Sequence, residues 1–118
     1  MVGKPIEMIV IDYLIANEID AYAEIPEGKI KYALVDKTGS NRENLVDSAT
    51  IIIQSVDETK AKACIFNEEI KELMENIVRL PEISRCELNS DYSFNDTKTK
   101  RYRYQAVYEI TKGGTYAR

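Results

Sequence analysis

Three groups of side chains in this sequence have types and spacings that bear on chemistry. The first is a carboxylate group, Glu68, Glu69, Glu72 and Glu75. Glu68, Glu72 and Glu75 recur at i, i+4 and i+7, which places them on one face of a helix. A divalent cation needs further oxygen ligands converging from a second element. Lys71 stands among these acids, three residues after Glu68 and four before Glu75, so opposite charge partly balances them. The simpler reading is a solvated helix face, and neither a metal nor a cofactor is expected.

The second group is the basic run Lys98, Lys100, Arg101 and Arg103. Three readings stand side by side: pairing with acidic surface on a neighbouring subunit, contact with nucleic-acid phosphate, and gatekeeping charge that keeps an edge from aggregating. The third group is Tyr92, Tyr102, Tyr104 and Tyr108. They suit a base-stacking platform or, more simply, rings shared between core and interface with hydroxyls reaching a partner or water. The segment Lys37-Thr38-Gly39-Ser40 has the look of a phosphate loop, but it lacks the GxxxxGK[ST] spacing and no helix pattern follows it.

The chain has no histidine. That removes the commonest general base and the commonest transition-metal ligand, and with them any Ser-His-Asp or Cys-His device. The cysteines Cys64 and Cys86 make no metal set and no CxxC motif, and read as reduced thiols. No catalytic residue is assigned and an enzyme is not expected.

The elements that position these groups follow from periodicity. Ile6, Ile9, Val10, Tyr13 and Leu14 predict a helix from about Ile6 to Asn17, opened by Pro5. Met8, Ile11 and Ile15 widen its apolar stripe, which suggests packing on a sheet and on a partner. Ala21–Ile25 is a short strand candidate, followed by the turn Pro26-Glu27-Gly28. Lys31–Lys37 is a strand. Thr38–Asp47 reads as an exposed loop that projects as an arm, with Arg42 its obvious cation. Ala49–Val56, with three consecutive isoleucines, reads as a central strand.

Ser55-Val56-Asp57-Glu58 matches a capping box opening a second helix from about Asp57 to Val78. Ala63, Phe66, Ile70, Leu73, Met74 and Ile77 form its apolar face, and Asn67 falls on the polar side. Pro81 ends it. Cys86, Leu88, Ser90, Tyr92 and Phe94 alternate with polar residues, as do Tyr102, Tyr104, Ala106, Tyr108 and Ile110. Period two in both predicts an antiparallel hairpin with the basic run at its tip. Residues 112–118 read as a flexible tail. The order is α-β-β-β-α-β-β, an α+β fold with a mixed, mostly antiparallel sheet of about four or five strands and both main helices on one face.

With 118 residues, the chain is read as a single domain, 1–118. Its net charge of −4 argues against general nucleic-acid binding, which needs a basic footprint. No apolar run approaches the roughly 18 residues of a membrane span. Glu7 and Asp12 interrupt the apolar N-terminal stretch, unlike a signal-peptide core. These features point to an intracellular protein.

Four segments in this order, IEMIVIDYLIAN, YALVDKTGS, SATIIIQSVDETKAKA and LNSDYSFNDTKTKRYRYQAVYEI, together resemble the tail-terminator, or tail-to-head joining, proteins of long-tailed phages with non-contractile tails, which prophages of Gram-positive bacteria often encode. The most specific pieces are VDKTGS, SATIIIQS and FNDTKTKRYRYQAVY. The resemblance implies a structural subunit that forms a ring, typically a hexamer, at the head-proximal end of the tail tube. Such a ring stops tube polymerisation and meets the head connector. It also implies phage DNA passing through the lumen without sequence-specific binding, assembly in the host bacterial cytoplasm, a place in the virion neck, and no membrane. Arg42, Lys98, Lys100, Arg101 and Arg103 are the candidate subunit or partner contacts. The alternative is a small intracellular binding or adaptor module, a nucleic-acid-associated one included.

Overall fold

The computed structural model describes residues 4–43, 46–95 and 101–113. Helix α1 (Ile6–Ala16) leads into strands β1 (Ala21–Tyr22), β2 (Tyr32–Glu43) and β3 (Val46–Asp57). Helix α2 (Lys60–Glu75) and a short 3-10 turn (Ile77–Arg79) precede β4 (Ile83–Ser93) and β5 (Tyr102–Lys112). The strands form one sheet in the order β1-β2-β3-β5-β4, antiparallel except for the β1–β2 pair. The fold is the α+β arrangement expected from the pattern, with β3 central.

Helix α1 starts where the Pro5 carbonyl accepts from Met8 N and Ile9 N at 3.0 and 3.1 Å. It ends in a Schellman motif. Ile19 N donates to Leu14 O at 2.9 Å and Glu18 N to Ile15 O at 3.0 Å. This places Glu18 in the left-handed region at φ 67°, where glycine is usual because a Cβ is disfavoured there. Ile6, Ile9, Val10, Ile11 and Leu14 are buried, while Met8 and Ile15 stay exposed.

Ser55 is not a helix cap. It lies inside β3 and is fully buried. The cap is Thr59, whose hydroxyl accepts from Lys62 N at 3.1 Å. The difference arises because β3 keeps pairing with β5 as far as Asp57↔Tyr102, so the helix cannot begin until the ladder ends. Ala63, Phe66, Ile70, Met74 and Ile77 are buried as their spacing predicts. Asn67, expected on the polar side, is also buried, because its amide oxygen accepts from the Ser55 hydroxyl across the helix–sheet layer at 3.5 Å.

The core lies between this layer and one face of the sheet, where Val35, Ile51, Ile53, Ala106, Tyr108 and Ile110 meet both helices. Tyr13 ties α1 to the end of α2 by donating to Leu73 O at 2.6 Å.

Two expectations about strand length change. Only Ala21 and Tyr22 of the first candidate pair, alongside Ala33 and Leu34. Of Thr38–Asp47, expected as a loop, the described residues 38–43 and 46–47 are paired strand: β2 and β3 pair through Arg42↔Asp47 and Glu43↔Val46, with a bulge at Thr38, and residues 44 and 45 lie outside the described residues. Antiparallel pairing satisfies the backbone of turn-favouring residues and overrides their local preference. At the C-terminal end, Lys112 belongs to β5 and Gly113 N donates to Glu82 O at 3.0 Å. Residues 114–118 of the expected tail lie outside the described residues.

Candidate subunit interface

Residues opposite each other in a ladder share a face. With Ile51, Ile53, Ala106 and Tyr108 turned to the helices, the residues between them form the opposite face. Leu34, Asp36, Thr50, Ile52, Gln54, Gln105, Val107 and Glu109 lie there, mostly half-buried. No helix covers this face among the described residues.

A chain of side-chain hydrogen bonds crosses it. Arg103 donates to Gln54 Oε1 at 2.9 Å, Gln54 Nε2 to Gln105 Oε1 at 2.9 Å, and Gln105 Nε2 to Tyr92 Oη at 2.6 Å. Further along, the Thr50 hydroxyl donates to Glu109 Oε1 at 2.6 Å, and Asn89 Nδ2 reaches the same oxygen at 3.4 Å. These bonds fix the side chains of an uncovered sheet face in place.

Beside this face, Ala23, Glu24 and Ile25 form a wall, and residues 26–30 continue from it. The segment turns at Gly28, φ 72°, and is held from two sides. Lys29 pairs with Asp20 at 3.2 Å, and hydrogen bonding from Tyr22, then Lys29, lowers the Asp20 carboxyl below its usual range. Arg101 donates to Lys29 O and Ile30 O at 3.0 and 3.1 Å. Between wall and sheet lies a groove of about 250 Å³ lined by Ala23, Glu24, Ile25, Leu34, Asp36, Ile52 and Gln54.

Strand β4, the far edge, carries a bulge between Leu88 and Ser90. The extra residue reverses the alternation, so Asp91 lies opposite Ala106 on the helix side. There Asp91 pairs with Lys71 of α2, which also holds Glu68 at 2.7 Å. The hydrogen bonds that Lys71 donates to Asp91 and then to Glu68 raise its pKa. The bulge also breaks the expected single period in this strand. Leu88, Tyr92 and Phe94 are 44%, 45% and 50% exposed.

On the same side Cys86 is pushed up to about 11, first by burial and then by the charge of Glu87. Burial also drives the Tyr108 phenol well above its usual range. Its hydroxyl has no hydrogen-bond partner among the described residues.

The candidate contact residues are therefore dispersed. Arg42 pairs with Asp47 at 2.8 Å across the ribbon. Arg101 fastens the segment that follows the wall, at Lys29 and Ile30, and Arg103 opens the hydrogen-bond chain on the uncovered face. Lys98 and Lys100 lie outside the described residues. Of the tyrosines, Tyr108 is in the core and Tyr92 is on the uncovered face. The acids of α2 do not converge with another acidic element: among the described residues no group of three or more His, Cys, Asp or Glu is placed to hold a metal ion. Nor is any helix there long and apolar enough to cross a membrane.

The groove residues Glu24 and Asp36 were not singled out by sequence reasoning. The one available signal was Asp36 breaking the apolar run of β2. Gln54 and Gln105 were equally silent, since each sits alone in an apolar strand.

No protein-family model matches the chain, and no curated protein matches it. Among solved structures, a chain of the virion of a native gene transfer agent (GTA) particle is similar in fold. The TM-score is 0.55 at 10% identity, and the alignment covers 86% of this chain and 84% of that chain. The likeness spans nearly the whole sheet-and-helix unit and establishes a shared two-layer α+β architecture.

Proposed function

We propose that this chain is a structural, non-catalytic subunit of a phage-like virion, and within the virion a tail terminator. It forms a ring, six subunits in the simplest case, at the head-proximal end of the tail tube. There it stops tube growth and meets the head connector while DNA passes through the lumen. The observation that carries the reading is the fold shared with a chain of a gene transfer agent virion over 86% of this sequence. The tail-terminator resemblance of the strand and hairpin segments supports the finer assignment.

The surface is consistent with assembly. The hydrogen-bonded open face, the projecting ribbon and the exposed Met8, Ile15, Ile25 and Phe94 offer several distinct contact areas. A closed ring needs two different surfaces per subunit that match each other.

Native mass across a concentration series, with negative-stain imaging and a tube-capping assay, tests this. Closed rings, or capping of purified tail tubes at a uniform length, support the reading. A protein that stays monomeric alone and leaves tube length unchanged rules it out.

A further inference from the structure

The groove on the open face has a definite chemistry. Its floor is apolar, from Leu34 and Ile52, and Ile25 of the wall is 67% exposed. Two carboxylates, Glu24 and Asp36, line it, both exposed. Neither has an ion pair among the described residues. Described cations close by in sequence or space are committed elsewhere: Lys29 to Asp20, Lys37 to Glu7 at 3.8 Å, and Arg101 to the Lys29 and Ile30 carbonyls. An apolar floor with acidic sides matches a long aliphatic stem ending in a positive charge, which is the form of a lysine or arginine side chain.

The chain itself carries the complement. Residues 98–103 hold four of its 16 cations and none of its 20 acids, so the remainder has 12 cations against 20 acids, a net −8. Arg101 and Arg103 of the run are bonded within their own subunit. Lys98 and Lys100 are the cations of the run left to consider.

We infer that the Glu24–Asp36 groove is a docking site for the basic run of a second copy of this chain, with Lys98 and Lys100 supplying the cations. The inference rests on the ring reading and specifies one of its contacts. The groove and the run are different surfaces, so the contact is heterologous and can propagate around a closed ring. Arg101 has a positioning role. By holding the Lys29 and Ile30 carbonyls it fixes the segment that continues from the groove wall of its own subunit.

Charge exchange tests this directly. Four proteins are compared: wild type, Glu24→Lys with Asp36→Lys, Lys98→Glu with Lys100→Glu, and all four changes together. Circular dichroism and thermal melting check the fold, and native mass across a concentration series reads assembly. Each double variant is expected to melt as the wild type does and to raise the concentration of half-assembly by at least about tenfold, since like charges then face each other. The fourfold variant is expected to assemble as the wild type does.

Normal assembly of both double variants overturns the contact and leaves the ring standing. Loss in both without recovery in the fourfold variant overturns the pairing of these two surfaces. A wild type that neither assembles nor caps tubes overturns the ring and this contact with it.

Discussion

The two faces of the sheet are made by the same strands and differ at every successive residue. On the helix side, Ile51 and Ile53 are fully buried against α1, α2 and the side chains of Ala106 and Tyr108. On the other side, Ile52 stands between Asp36 and Val107, half-exposed, in a row ordered by glutamines and a tyrosine. The first face holds the fold together by removing apolar area from water. The second is ordered without being covered. Side chains already fixed on an uncovered face would lose less entropy if that face were bound.

The widest test of this contrast uses neighbouring residues of one type. Ile53→Ala is expected to cost about 2–5 kcal/mol, through lost burial and a cavity. Ile52→Ala is expected to cost about 1 kcal/mol or less, because water can fill the space. Denaturant unfolding measures both, and equal losses would show that the open face is structurally as important as the core.

A smaller effect probes the hydrogen-bond chain. Tyr92→Phe removes the oxygen that accepts from Gln105 and is expected to cost about 0.5–1.5 kcal/mol. No change in unfolding would mean that water replaces the tyrosine freely and that this row is not rigid.

Smaller still is a gain. Glu18→Gly relieves a left-handed residue at the end of α1 and is expected to stabilise by about 0.5–1 kcal/mol. A loss instead would indicate that the Glu18 side chain contributes more than its backbone costs.

The last test probes the helix side of the sheet by pH. Cys86 titrates at about 11 in the folded protein against an ordinary 9.0. Between these values the unfolded chain releases a proton that the folded chain retains, so stability is full below about pH 9 and falls as pH rises toward 11. Tyr108, also raised by burial, adds to the loss at the alkaline end. Cys86→Ala is expected to flatten the first part of that fall in a melting series. An unchanged profile would place the loss elsewhere.

How far the sequence was legible depends on the range of the physics involved. Helix α1, helix α2 and the paired β4–β5 strands were readable because their apolar periods are local and each repeats several times. The cap was misplaced by four residues, from Ser55 to Thr59, because a capping pattern is silent about whether the preceding strand still has a partner. The paired residues at 38–43 and 46–47 were read as a loop because Gly39, Ser40 and Asn41 prefer turns until a paired strand satisfies their backbone.

The sequence by itself determined the order of the elements, which stripes were apolar, the absence of histidine, and the concentration of positive charge at 98–103. Tertiary structure decided where the side chains of that pattern act. Arg101 reads in sequence as one more surface charge. It becomes a fastener only because Lys29 and Ile30, some 70 positions away, present two carbonyls to it. Asp91 faces Lys71 only because one extra residue in β4 turns the strand over. The groove at Glu24 and Asp36 exists only once a loop and two strands stand side by side. Periodicity is a property of neighbours along the chain, whereas these contacts join residues that only the folded chain brings together.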